Sequence, residues 1–231
     1  EYDEASGAII AHNDEGNEVL RALQLGTGQF NFQRIDKGLY FYFLFIEYGI
    51  LFVVLKLFGV VGSSQEFGEL FIRDPSWFYL IGRSTTAVIG AATAYIVYRI
   101  GKETHSKAAG LFGAAFIAVN VLHADLSHFV TIDVPLAFFS AWALFFAIRM
   151  TKSDEVRYYY FAALMAALAT ACKTPGVLLL IPLLVAHGYA LRRSPHRSIV
   201  AFFSDKRLWV SAAIFLGVYV AANPGIVVHI D

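Results

Sequence analysis

Apolar residues in this chain are gathered into blocks, and the length of those blocks decides what it can fold into. A helix that crosses a hydrocarbon core needs roughly 20 apolar residues, because every backbone N–H and C=O must find its partner inside the helix. Six blocks approach that requirement, at 77–100, 108–122, 134–150, 157–172, 175–191 and 208–222. The shorter ones reach it only if their ends extend into the flanking loops. A seventh block, 39–61, is set apart below. Charged residues make up 16% of the 231 and fall between the blocks, where a soluble domain carries about 25%. The fold class expected is all-α, a polytopic transmembrane helical bundle. No long Pro/Gly linker divides it.

Charge and cysteine narrow the partners. A net charge of zero gives a nucleic-acid partner no electrostatic support. The single Cys172 lies inside an apolar block, so no intrachain disulfide forms. The chain opens on the acidic Glu1-Tyr2-Asp3-Glu4 without an initiator Met or signal peptide, and ends at Asp231 just past an apolar block. The expectation is a natural protein longer at both ends.

Lys and Arg in short loops set orientation. Arg99, Lys102 and Lys107 lie in one loop, Arg149, Lys152 and Arg157 in another, and Arg192, Arg193, Arg197, Lys206 and Arg207 in a third. The alternate loops, 123–133 and 173–176, hold only Lys173. This alternation places those two loops, residues 62–76 and the tail from Asn223 outside. Residues 1–38 carry seven acids against Arg21, Arg34 and Lys37, a poor composition for a cytoplasmic segment. Block 39–61 opens on Tyr40-Phe41-Tyr42-Phe43 and is interrupted by Glu47 and Lys56, which suits an interfacial or re-entrant helix. The organisation expected is therefore an external loop with juxtamembrane helices over 1–76 and a six-helix transmembrane portion over 77–231. An ordinary span with a cytoplasmic N-terminus is the alternative for 39–61. On the first reading 14 of the 18 acids face outward and 11 of the 18 bases face the cytoplasm.

Residues able to do chemistry collect on that outer side. His12-Asn13-Asp14-Glu15 starts a helical pattern that Gly26 and Gly28 end, with Asn13 as cap. Two carboxylates there are either a solvated first turn favoured by the helix dipole or a general base or metal ligand. Asp36-Lys37-Gly38 precedes the aromatic block, where Lys37 is a snorkelling anchor or a phosphate partner. The loop His123-Ala124-Asp125-Leu126-Ser127-His128 leads to Asp133-Val134-Pro135. Asp133 is a first-turn acid or a site residue; His123, Asp125 and His128 are possible substrate or divalent-metal contacts, at a spacing that matches no closed zinc site. Arg83 lies about 9 Å below Trp77 along its helix, and Lys173 joins two spans. Cations at such depth are functional candidates by default. His187 and Glu47 read as satisfied structural groups.

The motifs Asn13-Asp14-Glu15-Gly16, Asp36-Lys37-Gly38-Leu39-Tyr40, Gly82-Arg83-Ser84-Thr85-Thr86, Ser127-His128 through Asp133-Val134-Pro135-Leu136, Lys173-Thr174-Pro175-Gly176 and Asn223-Pro224 occur in this order over nearly the whole chain. Together they resemble the GT-C superfamily of integral-membrane glycosyltransferases, in its family 39-like, dolichyl-phosphate-mannose-protein mannosyltransferase branch. The resemblance implies an N-terminal GT-C module whose first span lies upstream of Glu1. It also implies transfer of a sugar from a polyprenyl- or dolichyl-phosphate carrier to an acceptor hydroxyl at the outer or lumenal face of the plasma membrane or endoplasmic reticulum. Asp14 would be the general base, Glu15 its partner and Asp133 the second acid. Lys37, Arg83 and Lys173 would neutralise the leaving phosphate. Two departures bear on acceptor class and phosphate geometry: Gly38-Leu39 stands where two prolines are common, and His128 where an arginine is common.

A secondary transporter or a non-catalytic subunit of the same fold are the competing readings. Transporters favour midplane polar residues and repeated halves, whereas the polar residues here sit at one face and no repeat is visible. The sidedness is directly measurable. Cysteines introduced at residues 12 and 66 should both be labelled by an impermeant reagent from the same, extracytoplasmic side; labelling from opposite sides would make 39–61 an ordinary span.

Overall fold

The computed structural model describes residues 2–3, 8–9, 15–27, 38–193 and 198–223. Among these, strand is confined to a two-residue antiparallel ladder between β1 (Tyr2–Asp3) and β2 (Ala8–Ile9). The rest of the regular structure is helical: α1 (Glu15–Gly26), α2 (Gly38–Leu57), α3 (Ser64–Arg73), α4 (Ser76–Thr104), α5 (Lys107–Ala118), α6 (Val121–Leu126), α7 (Asp133–Lys152), α8 (Arg157–Cys172), a 3-10 helix (Thr174–Leu179), α9 (Leu180–Leu191), α10 (Ile199–Ser204) and α11 (Lys206–Ala222). The chain is a polytopic helical membrane protein, as its apolar blocks require.

The blocks and the helices differ where local chemistry intervenes. Block 108–122 breaks at Asn120, whose side chain accepts the His123 amide at 2.9 Å and starts α6 instead of continuing α5. Asparagine competes with the helix for its own backbone and prefers a cap. Block 175–191 opens as a 3-10 turn over Thr174-Pro175-Gly176, where a Cβ on Gly176 would lie 2.5 Å from the Thr170 amide nitrogen. Block 39–61 ends early at a turn in which Gly59 takes φ +71°, a conformation that favours glycine. Helix α3 had no apolar block to announce it. It is fixed by reciprocal capping, with Ser63 accepting the Glu66 amide at 3.2 Å and the Glu66 carboxylate accepting the Gly62 amide at 2.8 Å.

By length and composition, α2, α4, α7 and the continuous 174–191 segment suffice to cross a membrane. The 16 residues of α8 span about 24 Å, and α5 and α11 are also short of a full crossing.

Small residues let the helices approach one another in lipid, where no hydrophobic force drives them together. Gly101 of α4 lies against Gly110 of α5, and a Cβ on Gly101 would come 2.6 Å from the Gly110 Cα. Ala143 of α7 and Ala163, Ala166 and Ala167 of α8 are buried together, with Phe215 of α11 packed on them. Helices α4 and α7 run in the same direction, with Ile96 on Ala141 and Phe145, and Glu103 bonded to Arg149 at 3.0 Å. That last pair marks one end of the bundle, here called the basic end. Arg193 pairs there with Asp154 at 3.1 Å, and Arg207 with Asp205 at 2.6 Å.

Helix α2 keeps to the opposite end. The Gly38 amide donates to the Asn223 side-chain oxygen at 2.9 Å, just past α11, and Leu39 packs against the cluster of Phe139, Ala169 and Cys172 near the end of α8. From there α2 runs antiparallel to the first half of α4. Tyr40 bonds Thr86, Leu44 faces Gly82, and the Tyr48 hydroxyl donates to the Phe78 carbonyl. Its course therefore leads away from the basic end. The buried core around it includes Tyr40, Leu44, Tyr48, Phe67, Phe71 and Phe78.

The α4–α5 crossing should be intolerant of side chains. Gly101→Leu is expected to lower stability by about 1–3 kcal/mol, the usual cost of overpacking, in a thermal or denaturant melt of the purified protein. Gly217→Ala, at a position where an added Cβ meets nothing within 4 Å, should not.

Candidate active site

The first residue of α1 is a carboxylate with no exposure to solvent. Glu15 is 0% accessible, and an isolated carboxylate in such a place would be very costly. Three hydrogen bonds remove the difficulty. Arg83 of α4 donates Nε to Oε1 and Nη2 to Oε2, each at 2.7 Å, and the backbone amide of Val130 donates to Oε1 at 3.0 Å. The guanidinium also lies 5.5 Å from the centroid of the Tyr79 ring, one turn earlier on α4. These contacts hold it in one orientation, and the Arg83 side chain is still 35% exposed.

A second ion pair forms nearby along the chain. Lys173 caps the C-terminal end of α8 and donates Nζ to Asp133 Oδ1 at 2.7 Å. Asp133 opens α7, and its amide donates to Thr131 Oγ1 at 3.3 Å. An acid at a helix start and a base at a helix end both oppose the local dipole charge. Both side chains remain about one-third exposed, so the pair is open to a ligand. Val130 and Asp133 are three residues apart, so their Cα atoms are separated by at most about 11 Å. The amide that Glu15 holds thus ties the Glu15–Arg83 pair to the loop that presents Asp133, and Asp133 in turn holds Lys173.

The wall behind the site is built by α2 and α4. The Tyr40 and Thr86 hydroxyls bond at 2.7 Å, Thr86 also donates to the Gly82 carbonyl, and the Thr85 hydroxyl donates to the Glu47 carboxylate. Gly82 admits this packing because a Cβ there would come 2.9 Å from Val130, the residue whose amide Glu15 holds. Gly38 is similarly constrained: a Cβ would lie 2.1 Å from the Ala222 carbonyl oxygen.

Of the residues expected from sequence, Glu15, Arg83, Asp133 and Lys173 are thus brought to one end of the bundle in two ion pairs. Asp14 and Lys37, with His12, Asn13 and Asp36, lie outside the described residues; Asp14 precedes Glu15 and Lys37 precedes Gly38 in the sequence. His123 and His128 are on or beside α6, with ring nitrogens at 3.1 Å from the Gly90 carbonyl and 2.6 Å from the Ala124 carbonyl, and Asp125 is exposed. Among the described residues, no three His, Cys, Asp or Glu side chains gather as a metal-binding group. His187 is a satisfied buried group, bonded to the Tyr159 hydroxyl and the Phe202 carbonyl, each at 3.0 Å.

Three participants were not expected. The Val130 amide carries no sequence signal, since any residue supplies one. Tyr79 could have been found from its i, i+4 spacing to Arg83. Asn223 stood only as part of a motif, although an Asn at a helix end is a ready partner for a backbone amide.

A family model described as dolichyl-phosphate-mannose-protein mannosyltransferase matches residues 79–222. No curated protein and no solved structure matches the chain. The matched region includes Arg83, Asp133 and Lys173 and stops one residue before Asn223.

A double-mutant cycle tests how Glu15 and Arg83 depend on one another. Arg83→Gln, which leaves the Glu15 carboxylate buried without its cation, should destabilise the protein by about 3 kcal/mol, and Glu15→Gln, which leaves a part-exposed guanidinium, by less. The double variant should fall well short of the sum of the two. Additive losses in a denaturant melt would show that the two side chains act separately.

Proposed function

The chain belongs to the dolichyl-phosphate-mannose-protein mannosyltransferase family, and on that premise we propose that it moves a sugar from a polyprenyl- or dolichyl-phosphate carrier to an acceptor hydroxyl at the extracytoplasmic face of the membrane. The observation that carries this reading is the Glu15 carboxylate, which accepts from Arg83 through both oxygens and from the Val130 amide through Oε1 as well. Through it, a segment carrying Asp14 is joined to the loop that presents Asp133, the partner of Lys173.

In the proposed reaction, the acceptor hydroxyl gives its proton to the Asp14 carboxylate as its oxygen attacks the anomeric carbon. The bond from that carbon to the phosphate oxygen breaks, and the electron pair leaves with the lipid phosphate. Charge therefore grows on the phosphate, and the cations are arranged to meet it. Arg83 has five N–H donors, of which Glu15 takes two. Among the described residues three remain unbonded, on a guanidinium whose direction is already fixed. Lys173 has three donors and gives one to Asp133. Lys37 is the third cation of the set. Preorganised donors of this kind need not reorient as the charge develops. The occupied oxygens of Glu15 suit a partner that positions Asp14 and Arg83 better than a second base. Asp133 is the second acid, steering Lys173 and facing the reacting groups.

The external placement of residues 1–76 belongs to this proposal. It is supported by the course of α2, which starts at Asn223 near the end of α8 and runs away from the basic end. On this reading α2 is a juxtamembrane element whose apolar face lies in the outer leaflet.

The test is an assay of the full-length protein with polyprenyl-phosphate sugars, following release of the lipid phosphate. Asp14→Asn should lower kcat by about 10²–10⁴, the usual weight of a general base. Lys173→Met should lower it by about 10²–10³, as for loss of one preorganised donor. Full activity in both Asp14→Asn and Asp133→Asn would defeat the site, and solute uptake without sugar transfer would favour a transporter.

A further inference from the structure

The basic end holds a cleft that the transfer reaction does not use. It has a volume of about 250 Å³ and lies between the last turns of α9 and the short helix α10, lined by Gly188, Leu191, Arg192, Ser198, Ile199 and Phe202. Its geometry is fixed from behind. His187 of α9 bonds the Phe202 carbonyl at 3.0 Å and meets the Phe202 ring at a centroid distance of 4.5 Å. The other imidazole nitrogen is held by Tyr159 of α8. Helix α10 is thus clamped through a buried side chain and cannot simply collapse into the cleft.

The chemistry of the cleft is mixed in a specific way. Arg193 and Arg207, neighbours in the same basic segment, are each engaged by a carboxylate, Asp154 and Asp205. Burial alone would raise the Asp205 carboxyl, but hydrogen bonds from the Arg207 guanidinium and amide hold it below the ordinary carboxylate range, so that pair stays charged. Arg192 is different. It lines the cleft, is exposed, and among the described residues has no carboxylate partner, only the face of Tyr189 at 4.7 Å. Beside it, α10 turns Ile199, Val200 and Phe203 outward at 76, 68 and 57% exposure, and Trp209 of α11 donates its indole N–H to the Phe203 carbonyl while 61% exposed. A six-residue apolar helix beside unpaired basic charge, with a tryptophan at its rim, has the makeup of an element lying in the membrane interface.

We infer that this cleft binds an anionic phospholipid, with the headgroup phosphate on Arg192 and the acyl chains along Ile199, Val200 and Phe203. Charge decides the occupant. A zwitterionic lipid would bring its own cation to a wall that already carries Arg192, and a free anion would leave the outward face of α10 in water. Lys206, exposed two residues past α10, adds to the attraction for an anionic surface.

The experiment uses Trp209 as a local reporter, in full chain carrying Trp77→Phe and Trp142→Phe and reconstituted in nanodiscs. Brominated phosphatidylglycerol should quench Trp209 in preference to brominated phosphatidylcholine at equal mole fraction. The preference expected is about fivefold in occupancy for one unpaired cation at the interface. Arg192→Gln should abolish it, and Arg157→Gln, which removes an exposed arginine already paired with Glu155, should leave it intact. Equal quenching by the two lipids, or a preference that survives Arg192→Gln, would overturn the inference. So would loss of the preference on adding inorganic phosphate, which would mark a site for small anions rather than for lipid.

Discussion

A carboxylate without solvent is the constraint around which this end of the molecule is organised. Glu15 is tolerable in its position only because Arg83 and the Val130 amide meet it together. Each partner fixes something different. Arg83 sets where α1 sits along α4, and Val130 sets where the loop before α7 comes to rest. Take away either, and a polar group is left buried without its match, which costs more than the bond itself is worth. An apolar residue at position 15 would satisfy burial but would leave the loop and the guanidinium undirected.

The fold was largely written in the apolar blocks, because the bilayer leaves the chain so few options. Four of the six expected spans, 77–100, 134–150, 157–172 and 208–222, correspond to helices α4, α7, α8 and α11, shifted by a few residues at their ends. What the blocks did not reveal were interruptions made by single polar or flexible residues. Asn120 stops α5 by offering its side chain to the next helix, and Pro175-Gly176 turns the start of α9 into a 3-10 segment. Hydropathy averages over such residues, whereas the backbone responds to each one. Helix α3 was invisible for the same reason, since its identity rests on the Ser63–Glu66 cap and not on an apolar run.

For the site, the charged residues were legible and their pairings were not. A cation inside an apolar block is conspicuous on any reading, so Arg83 and Lys173 stood out. That Arg83 would face Glu15, 68 positions away, and Lys173 would face Asp133, 40 positions away, depends on the packing of α1, α4, α7 and α8. The wall contributed by α2 depends on Gly82, a residue that offers no chemistry of its own and matters only for what it lets approach. The two ends of the bundle also use charge differently. At the basic end Glu103 is shared by Arg149 and Lys152, and Arg193 and Arg207 are paired, so cations there mostly fasten one helix to another. At the opposite end each pair keeps about one-third of a charged side chain exposed, and the described residues do not exhaust its donors.

The bond from Gly38 to Asn223 bears on how such a protein is made. The partners are 185 residues apart, and Gly38 fits so closely against Ala222 that no other residue type could take its place without a shift of the backbone. During synthesis, α2 would emerge and wait, since the residue that receives its first amide comes 185 positions later. Every intervening helix must be inserted before the contact can close. The start of α2 would then be seated only after α11 is in place, so that a chain arrested midway through insertion would carry most of the acids and cations of the site yet lack the contact that secures them.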